Sequence, residues 1–152
     1  MNIRNYQDSD REKIIELLRL NTPEYFSPDE EKDLIYYFDN HIESYYVIEI
    51  DGIIVGSGGF NLSDDPAMIR IAWDIVHPEY QGKGIGSALT KYRIERIKEM
   101  DGVKIISVRT SQLVYPFYEK FGFELKEIVK DYWADGFDLY SMELDMNLVS
   151  DL

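Results

Sequence analysis

A strand that runs through proline into a glycine-rich turn, and from the turn directly into a helix, constrains this chain more than any other feature. Residues 75 to 89 read Ile-Val-His-Pro-Glu-Tyr-Gln-Gly-Lys-Gly-Ile-Gly-Ser-Ala-Leu. Gly82, Gly84 and Gly86 let the backbone take positive φ and approach a bound group closely. The helix behind them aims its unpaired first-turn N–H groups at the same spot. Such a concave array of amides suits phosphate.

Spacing separates the phosphate-binding readings of these glycines. A Walker loop needs four residues between its first glycine and Gly-Lys-Ser/Thr, whereas Lys83 is followed by Gly84, so that reading fails. A dinucleotide fingerprint places a glycine or alanine where this chain has Ser87, and it follows the first strand of its fold rather than a later one. A glycine-rich connection with no ligand stays open on this segment alone.

A second segment adds to the first. Gln81-Gly82-Lys83-Gly84-Ile85-Gly86 resembles the Gln/Arg-x-x-Gly-x-Gly/Ala signature of the GNAT acetyltransferase superfamily. About thirty residues on, Tyr115-Pro116-Phe117-Tyr118-Glu119-Lys120-Phe121-Gly122-Phe123 is similar to that family's Phe-Tyr-x-x-x-Gly-Phe segment. Together they cover the C-terminal half in the family's order and spacing. The resemblance implies an α/β (α+β) fold. Its mixed, mostly antiparallel sheet has about seven strands and about four helices, and strands 4 and 5 form a parallel, splayed pair with acetyl-coenzyme A in the gap.

Composition sets the outer bounds. The 152 residues are 45% hydrophobic and 14% aromatic, enough to bury a core as one domain spanning 1–152. The absence of Cys excludes disulfides, thiolate metal sites and a cysteine acyl-enzyme. Neither a leader nor a run of about twenty apolar residues is read from the chain, so no membrane contact is expected and a cytoplasmic protein is. A formal net charge of −13 argues against nucleic acid as a partner and favours a cationic substrate, although acidity that only keeps the protein soluble explains it as well.

The pattern alternates strands and helices. Residues 2 to 6 form a strand, and Ser9-x-x-Glu12 reads as a capping box for a helix carrying Ile14, Leu17 and Leu18. Ser27-Pro28-Asp29-Glu30 opens a second helix with Leu34, Ile35, Phe38 and Ile42. Strands 45 to 50 and 53 to 60 join at Asp51-Gly52, and strand 68 to 76 follows the Asp64-Asp65-Pro66 turn. Helix 85 to 100, strand 103 to 109, a short helix 113 to 121 and strands 123 to 132 and 137 to 146 complete the order. The βαβ unit around helix 85 to 100 makes its flanking strands parallel.

Site residues follow from the resemblance. Backbone N–H groups from Gln81, Gly82, Lys83, Gly84, Ile85, Gly86 and Ser87 are expected to hold the coenzyme's pyrophosphate. Ile75 and Val76 line its pantetheine arm, and Ser111 stands where many members carry a coenzyme-contacting asparagine. Lys83 and the Ser87 hydroxyl offer further phosphate contacts, and a solvated lysine and a first-turn serine explain them equally. Tyr118 takes the position of the family's general acid, which protonates the departing thiolate; a core aromatic remains the other reading.

The amine itself must be neutral to attack, and its pKa near 10 leaves it mostly protonated. Asp74 is the first choice of base; a carboxylate bonded to neighbouring backbone at a β-bulge is the alternative. Arg70 occupies the position where some members carry a glutamate base, and Glu43 is a distant option. Neither His41 nor His77 sits in a recognisable triad, and no metal site is indicated. The aromatic and acidic stretch Lys130–Asp138 reads as an acceptor-recognition segment or as a hairpin with aromatic cross-strand pairs. The expected activity is acetyl-coenzyme A dependent transfer to a primary amine of a small molecule or peptide, by direct attack in a ternary complex. A non-catalytic acyl-coenzyme A binding or sensing module is the alternative, and a homodimer is left open.

Overall fold

The computed structural model describes residues 1–149. Along the chain run β1 (Asn2–Asn5), α1 (Arg11–Leu20), α2 (Glu30–Asn40), β2 (Ser44–Ile50), β3 (Ile53–Leu62), β4 (Met68–Val76) and α3 (Ile85–Lys98). Beyond them come β5 (Ile105–Thr110), α4 (Tyr115–Glu119), β6 (Glu124–Ala134) and β7 (Phe137–Asp145). Among the described residues, seven strands form one mixed sheet in the order β1-β2-β3-β4-β5-β7-β6, with four α-helices. β4 and β5 are parallel, in register from Met68↔Ile105 to Arg70↔Ser107.

The chain divides into two compact units. The first comprises Met1–Asn61 and Ala72–Arg96. Its sequence builds two amphipathic helices: Ile14, Ile15, Leu17 and Leu18 of α1 and Leu34, Tyr37 and Phe38 of α2 recur at helical spacing. They bury against Tyr45 and Val47 of β2 and Ile75 of β4. Tyr6 stacks on Phe38 with ring centroids 5.2 Å apart, and Tyr45 meets both rings edge-on. Asp51 (φ 52°) and Gly52 (φ 76°) are both left-handed, as a two-residue hairpin turn requires, and close the Ile50↔Ile53 pair.

The start of α1 departs from the capping expected at Ser9 and Glu12. A turn of 3₁₀ helix over Asp8–Asp10 precedes it, and the reciprocal cap belongs to Gln7 and Asp10, with Gln7 N–H donating to Asp10 Oδ2 at 2.8 Å. The reason lies in Arg4. Its guanidinium binds both oxygens of Asp10 at 2.8 Å and Glu49 Oε1 at 2.7 Å, fixing the Asp10 carboxylate over the helix entrance. That pairing holds Asp10 below the usual carboxylate range. At α2 half of the expected cap is present: Ser27 N–H donates to Glu30 Oε2 at 2.7 Å, but the helix begins at Glu30 rather than at Pro28, and Ser27 Oγ accepts from Asp29 N–H at 3.3 Å.

The second unit comprises Leu62–Ile71 and Ile97 onward. Ile69 of β4, Ile106 and Val108 of β5, and Leu139, Met142 and Leu144 of β7 are buried, together with Tyr118 of α4 and Phe123. β5 pairs antiparallel with β7 from Ile105↔Asp145 to Thr110↔Tyr140. β6 is the edge strand, and its residues 124 to 132 are exposed. Ala67 N–H donates to Asp65 Oδ1 at 2.9 Å, which makes the Asp64-Asp65-Pro66 turn that opens β4.

Candidate active site

Residues of the first unit build the end of β4 and the turn behind it. Trp73 carries φ 52°, rare for a bulky residue, so the strand is kinked immediately before Asp74. The kink is held from two sides. Tyr45, fully buried, brings its hydroxyl within 2.8 Å of the Trp73 carbonyl and 3.1 Å of Ser57 Oγ, so it donates to the first and accepts from the second. Burial pushes its pKa up, which keeps it a donor. Phe26 stacks on the Trp73 ring at 6.3 Å with planes 19° apart.

Asp74, the candidate base, is paired with Arg93 of α3. Nη1 binds Oδ1 and Nη2 binds Oδ2 at 2.7 Å, a bidentate fork. Arg93 is 0% exposed and its Nη1 also donates to the Gly59 carbonyl at 3.1 Å. Gly58 leaves the space for this pair: a Cβ there would meet Asp74 Oδ1, Arg93 Nη1 and Leu89 Cδ2. The ion pair with Arg93 belongs to neither reading of Asp74 made from sequence, as base or as carboxylate bonded to neighbouring backbone. Protonating Asp74 would leave a fully buried guanidinium without its counter-charge.

Beyond Val76 the chain makes a 3₁₀ turn, Pro78–Tyr80, capped by His77 Nδ1, which accepts from Glu79 N–H at 3.1 Å. His77 N–H donates to Val55 of β3 at 2.8 Å, so the N–H and C=O of Val76 point toward the opposite edge of β4. In the turn that comes next, Gly82 (φ 76°) and Gly84 (φ 84°) are left-handed, and a Cβ at either would meet no atom within 4 Å. Backbone conformation therefore demands glycine here, and packing does not. Ala88 N–H donates to the Gly84 carbonyl at 3.0 Å, so the amides from Gly84 to Ser87 precede the helical ladder. Lys83 Nζ stands 5.3 Å over the Tyr80 ring. Gln81 N–H is taken by the Pro78 carbonyl at 3.4 Å, so the turn offers the amides that follow it, up to Ser87 in the first turn of a 14-residue helix.

The second unit carries the remaining candidates. Tyr118 lies on the short helix α4, which Pro116 helps to start, and is 3% exposed. Phe117 and Phe123 flank its ring at 5.1 and 5.5 Å. Gly122 (φ 96°) turns the chain so that Phe123 N–H reaches the Tyr118 carbonyl at 3.3 Å. Ser111 is 7% exposed, and its Oγ accepts from Leu113 N–H at 3.2 Å at the head of the same helix.

The Lys130–Asp138 stretch is a hairpin tied by its own acids: Asp131 Oδ1 accepts from Gly136 N–H at 2.8 Å and Asp138 Oδ1 from Asp131 N–H at 2.9 Å. Arg109 lies 5.1 Å from the Tyr132 ring centroid and 5.9 Å from that of Trp133. The aromatic faces thus already receive a cation from this chain. Among the described residues, no group of three or more His, Cys, Asp or Glu is arranged to hold a metal ion, and no helix is long and apolar enough to cross a membrane.

The family model described as Acetyltransferase (GNAT) family matches residues 13–123, and the chain belongs to that family. It is 31% identical to an N-alpha-acetyltransferase of Sulfurisphaera tokodaii over 92% of this chain and 90% of the relative. Ard1 from Thermoplasma volcanium shares the fold with a TM-score of 0.79 at 20% identity, covering 95% of this chain and 96% of that one. An aminoglycoside 6'-N-acetyltransferase solved in complex with coenzyme A does so with a TM-score of 0.78 at 16% identity, over 99% and 100%. The protein is an acetyl-coenzyme A dependent N-acetyltransferase that acts on an amine.

Proposed function

We propose that residues 1–152 form a single domain that moves the acetyl group of acetyl-coenzyme A to the α-amino group of a polypeptide N-terminus, by direct attack in a ternary complex. The observation that carries the coenzyme site is the turn from Gln81 to Ser87, left-handed at two glycines and open above them. Likeness to an N-alpha-acetyltransferase along 92% of the chain supports the acceptor class.

In this reading the amides of residues 82 to 87 bind the pyrophosphate, and the Gln81 N–H, held by the Pro78 carbonyl, braces the turn from behind. Because the Val76 carbonyl already accepts two side-chain amides, Asn21 at 3.0 Å and Gln81 at 3.3 Å, contact with pantetheine on this edge falls to the Val76 N–H. Ile75 supports the arm from beside it, and Ser111 supplies a hydroxyl. Tyr118 gives its proton to the departing thiolate. Asp74 serves as the counter-ion of Arg93 and keeps the kinked strand in place, and the incoming ammonium loses its proton to water. The hairpin acids hold the hairpin, so the net charge of −13 acts on cationic acceptors only at long range.

Gly84→Ala tests the coenzyme site. An L side chain at φ 84° costs about 1–2 kcal/mol of backbone strain, and the methyl group intrudes where phosphate approaches. Calorimetry with acetyl-coenzyme A is expected to show affinity lowered on the order of tenfold or more. Gly52→Ala is the control, since φ 76° and open space impose similar strain in a hairpin turn. Unchanged affinity in folded Gly84→Ala, or equal losses in both variants, would remove the turn from the site.

A further inference from the structure

Asn21, the residue that ends α1, is 3% exposed, and its side-chain amide is bonded at both its nitrogen and its oxygen. Nδ2 donates to the Leu17 carbonyl at 2.8 Å and to the Val76 carbonyl at 3.0 Å. Oδ1 accepts from Gln81 Nε2 at 2.9 Å. Two donor hydrogens and one acceptor oxygen are thereby satisfied, so the amide has a single orientation. One side chain joins the end of a helix, the end of β4 and the first residue of the glycine turn.

The main chain of Asn21 also anchors the connector between α1 and α2. Its carbonyl accepts from Tyr25 N–H at 2.9 Å and Phe26 N–H at 3.3 Å, which folds the connector onto this residue. Further along, Phe26 stacks on Trp73. The connector therefore grips β4 at Trp73 and at Val76, on both sides of Asp74 and Ile75.

We infer that Asn21 is a positioning residue that couples coenzyme occupancy of the glycine turn to the order of the α1–α2 connector, residues 22 to 27. Gln81 is exposed, and water competes for its amide. Pyrophosphate on the amides of residues 82 to 87 fixes the adjoining Gln81 backbone, holds its side chain on Asn21 and Val76, and steadies the connector that hangs from Asn21. The coupling is reciprocal: whatever orders the connector tightens coenzyme binding by the same factor. The inference rests on the turn being the pyrophosphate site.

Hydrogen–deuterium exchange with saturating coenzyme A as the probe tests it without an acceptor. In the wild type, coenzyme A is expected to slow exchange in residues 82 to 88 and, on the order of tenfold, in residues 22 to 27. Gln81→Leu leaves Asn21 bonded to Leu17 and Val76, so the connector should exchange as in the wild type without ligand and no longer respond to coenzyme A, while residues 82 to 88 still do. Asn21→Ala should exchange rapidly in residues 22 to 27 with or without ligand. Where Asn21→Ala fails to fold, Gln81→Leu decides alone. A connector that still responds in Gln81→Leu, or one that never responds in a wild type protected at 82 to 88, overturns the coupling. Loss of protection at 82 to 88 in the wild type would instead overturn the pyrophosphate assignment, and the inference with it.

Discussion

Tyr118→Phe is expected to lower kcat on the order of a hundredfold while acetyl-coenzyme A binds as before. The ring is packed between Phe117 and Phe123 at 5.1 and 5.5 Å, and phenylalanine preserves both contacts. Only the hydroxyl is removed, so the variant separates acid catalysis from packing. Steady-state kinetics read the turnover, and calorimetry reads the coenzyme affinity. Normal turnover in Tyr118→Phe would make Tyr118 a packing residue and leave the thiolate to be protonated by water.

Arg93→Met carries the largest expected loss of stability. Arg93 is fully buried and binds Asp74 through both carboxylate oxygens, so removing it strands a carboxylate in a site built for its partner. Breaking such a pair costs about 3–5 kcal/mol, which for a chain of this size corresponds to a fall in Tm of roughly 10 °C. The double change Asp74→Leu with Arg93→Met should recover much of it, since apolar replacement of both partners removes the uncompensated charge. Asp74→Asn then discriminates its roles. As a counter-ion, its loss lowers Tm and leaves the shape of the pH–rate profile intact. A general base would behave in the opposite way, with Tm near wild type and activity lost at low pH and recovered at high pH, where the amine is already neutral.

Local signals carried the sequence reading where a residue type had one physical solution. Asp51-Gly52 and Asp135-Gly136 mark turns because only glycine takes the left-handed conformation readily, and both close hairpins at the expected place. β4 spans Met68–Val76, as its run of apolar residues between the Asp64-Asp65-Pro66 turn and Pro78 requires. The glycine turn was legible for the same reason. Helix ends were less so: α3 stops at Lys98 and α4 covers only Tyr115–Glu119, because no cap residue with a decisive side chain marks either end.

The features that escaped the sequence depend on long-range pairing. Arg93 falls in phase with Leu89 and Ile97 on the buried face of α3, a position where a cation requires a buried acid, and that mismatch was the available clue to Asp74. Ser9 and Glu12 had the spacing of a capping box, yet Asp10 won the cap because Arg4, six residues away, fixes its carboxylate. Asn21 gave no local signal at all. An asparagine after a helix is common, and its bond to Gln81 sixty residues on is visible only in three dimensions.

Transfer to an α-amine is tested most directly by intact-mass spectrometry of peptides incubated with the protein and acetyl-coenzyme A. One peptide has a free α-amine and no lysine; its counterpart is blocked at the N-terminus and carries lysines. The expected result is one acetyl group on the first peptide, released coenzyme A in equal amount, and none on the second. Acetylation confined to the lysine side chains, or none on either peptide with an aminoglycoside acetylated in their place, would contradict it.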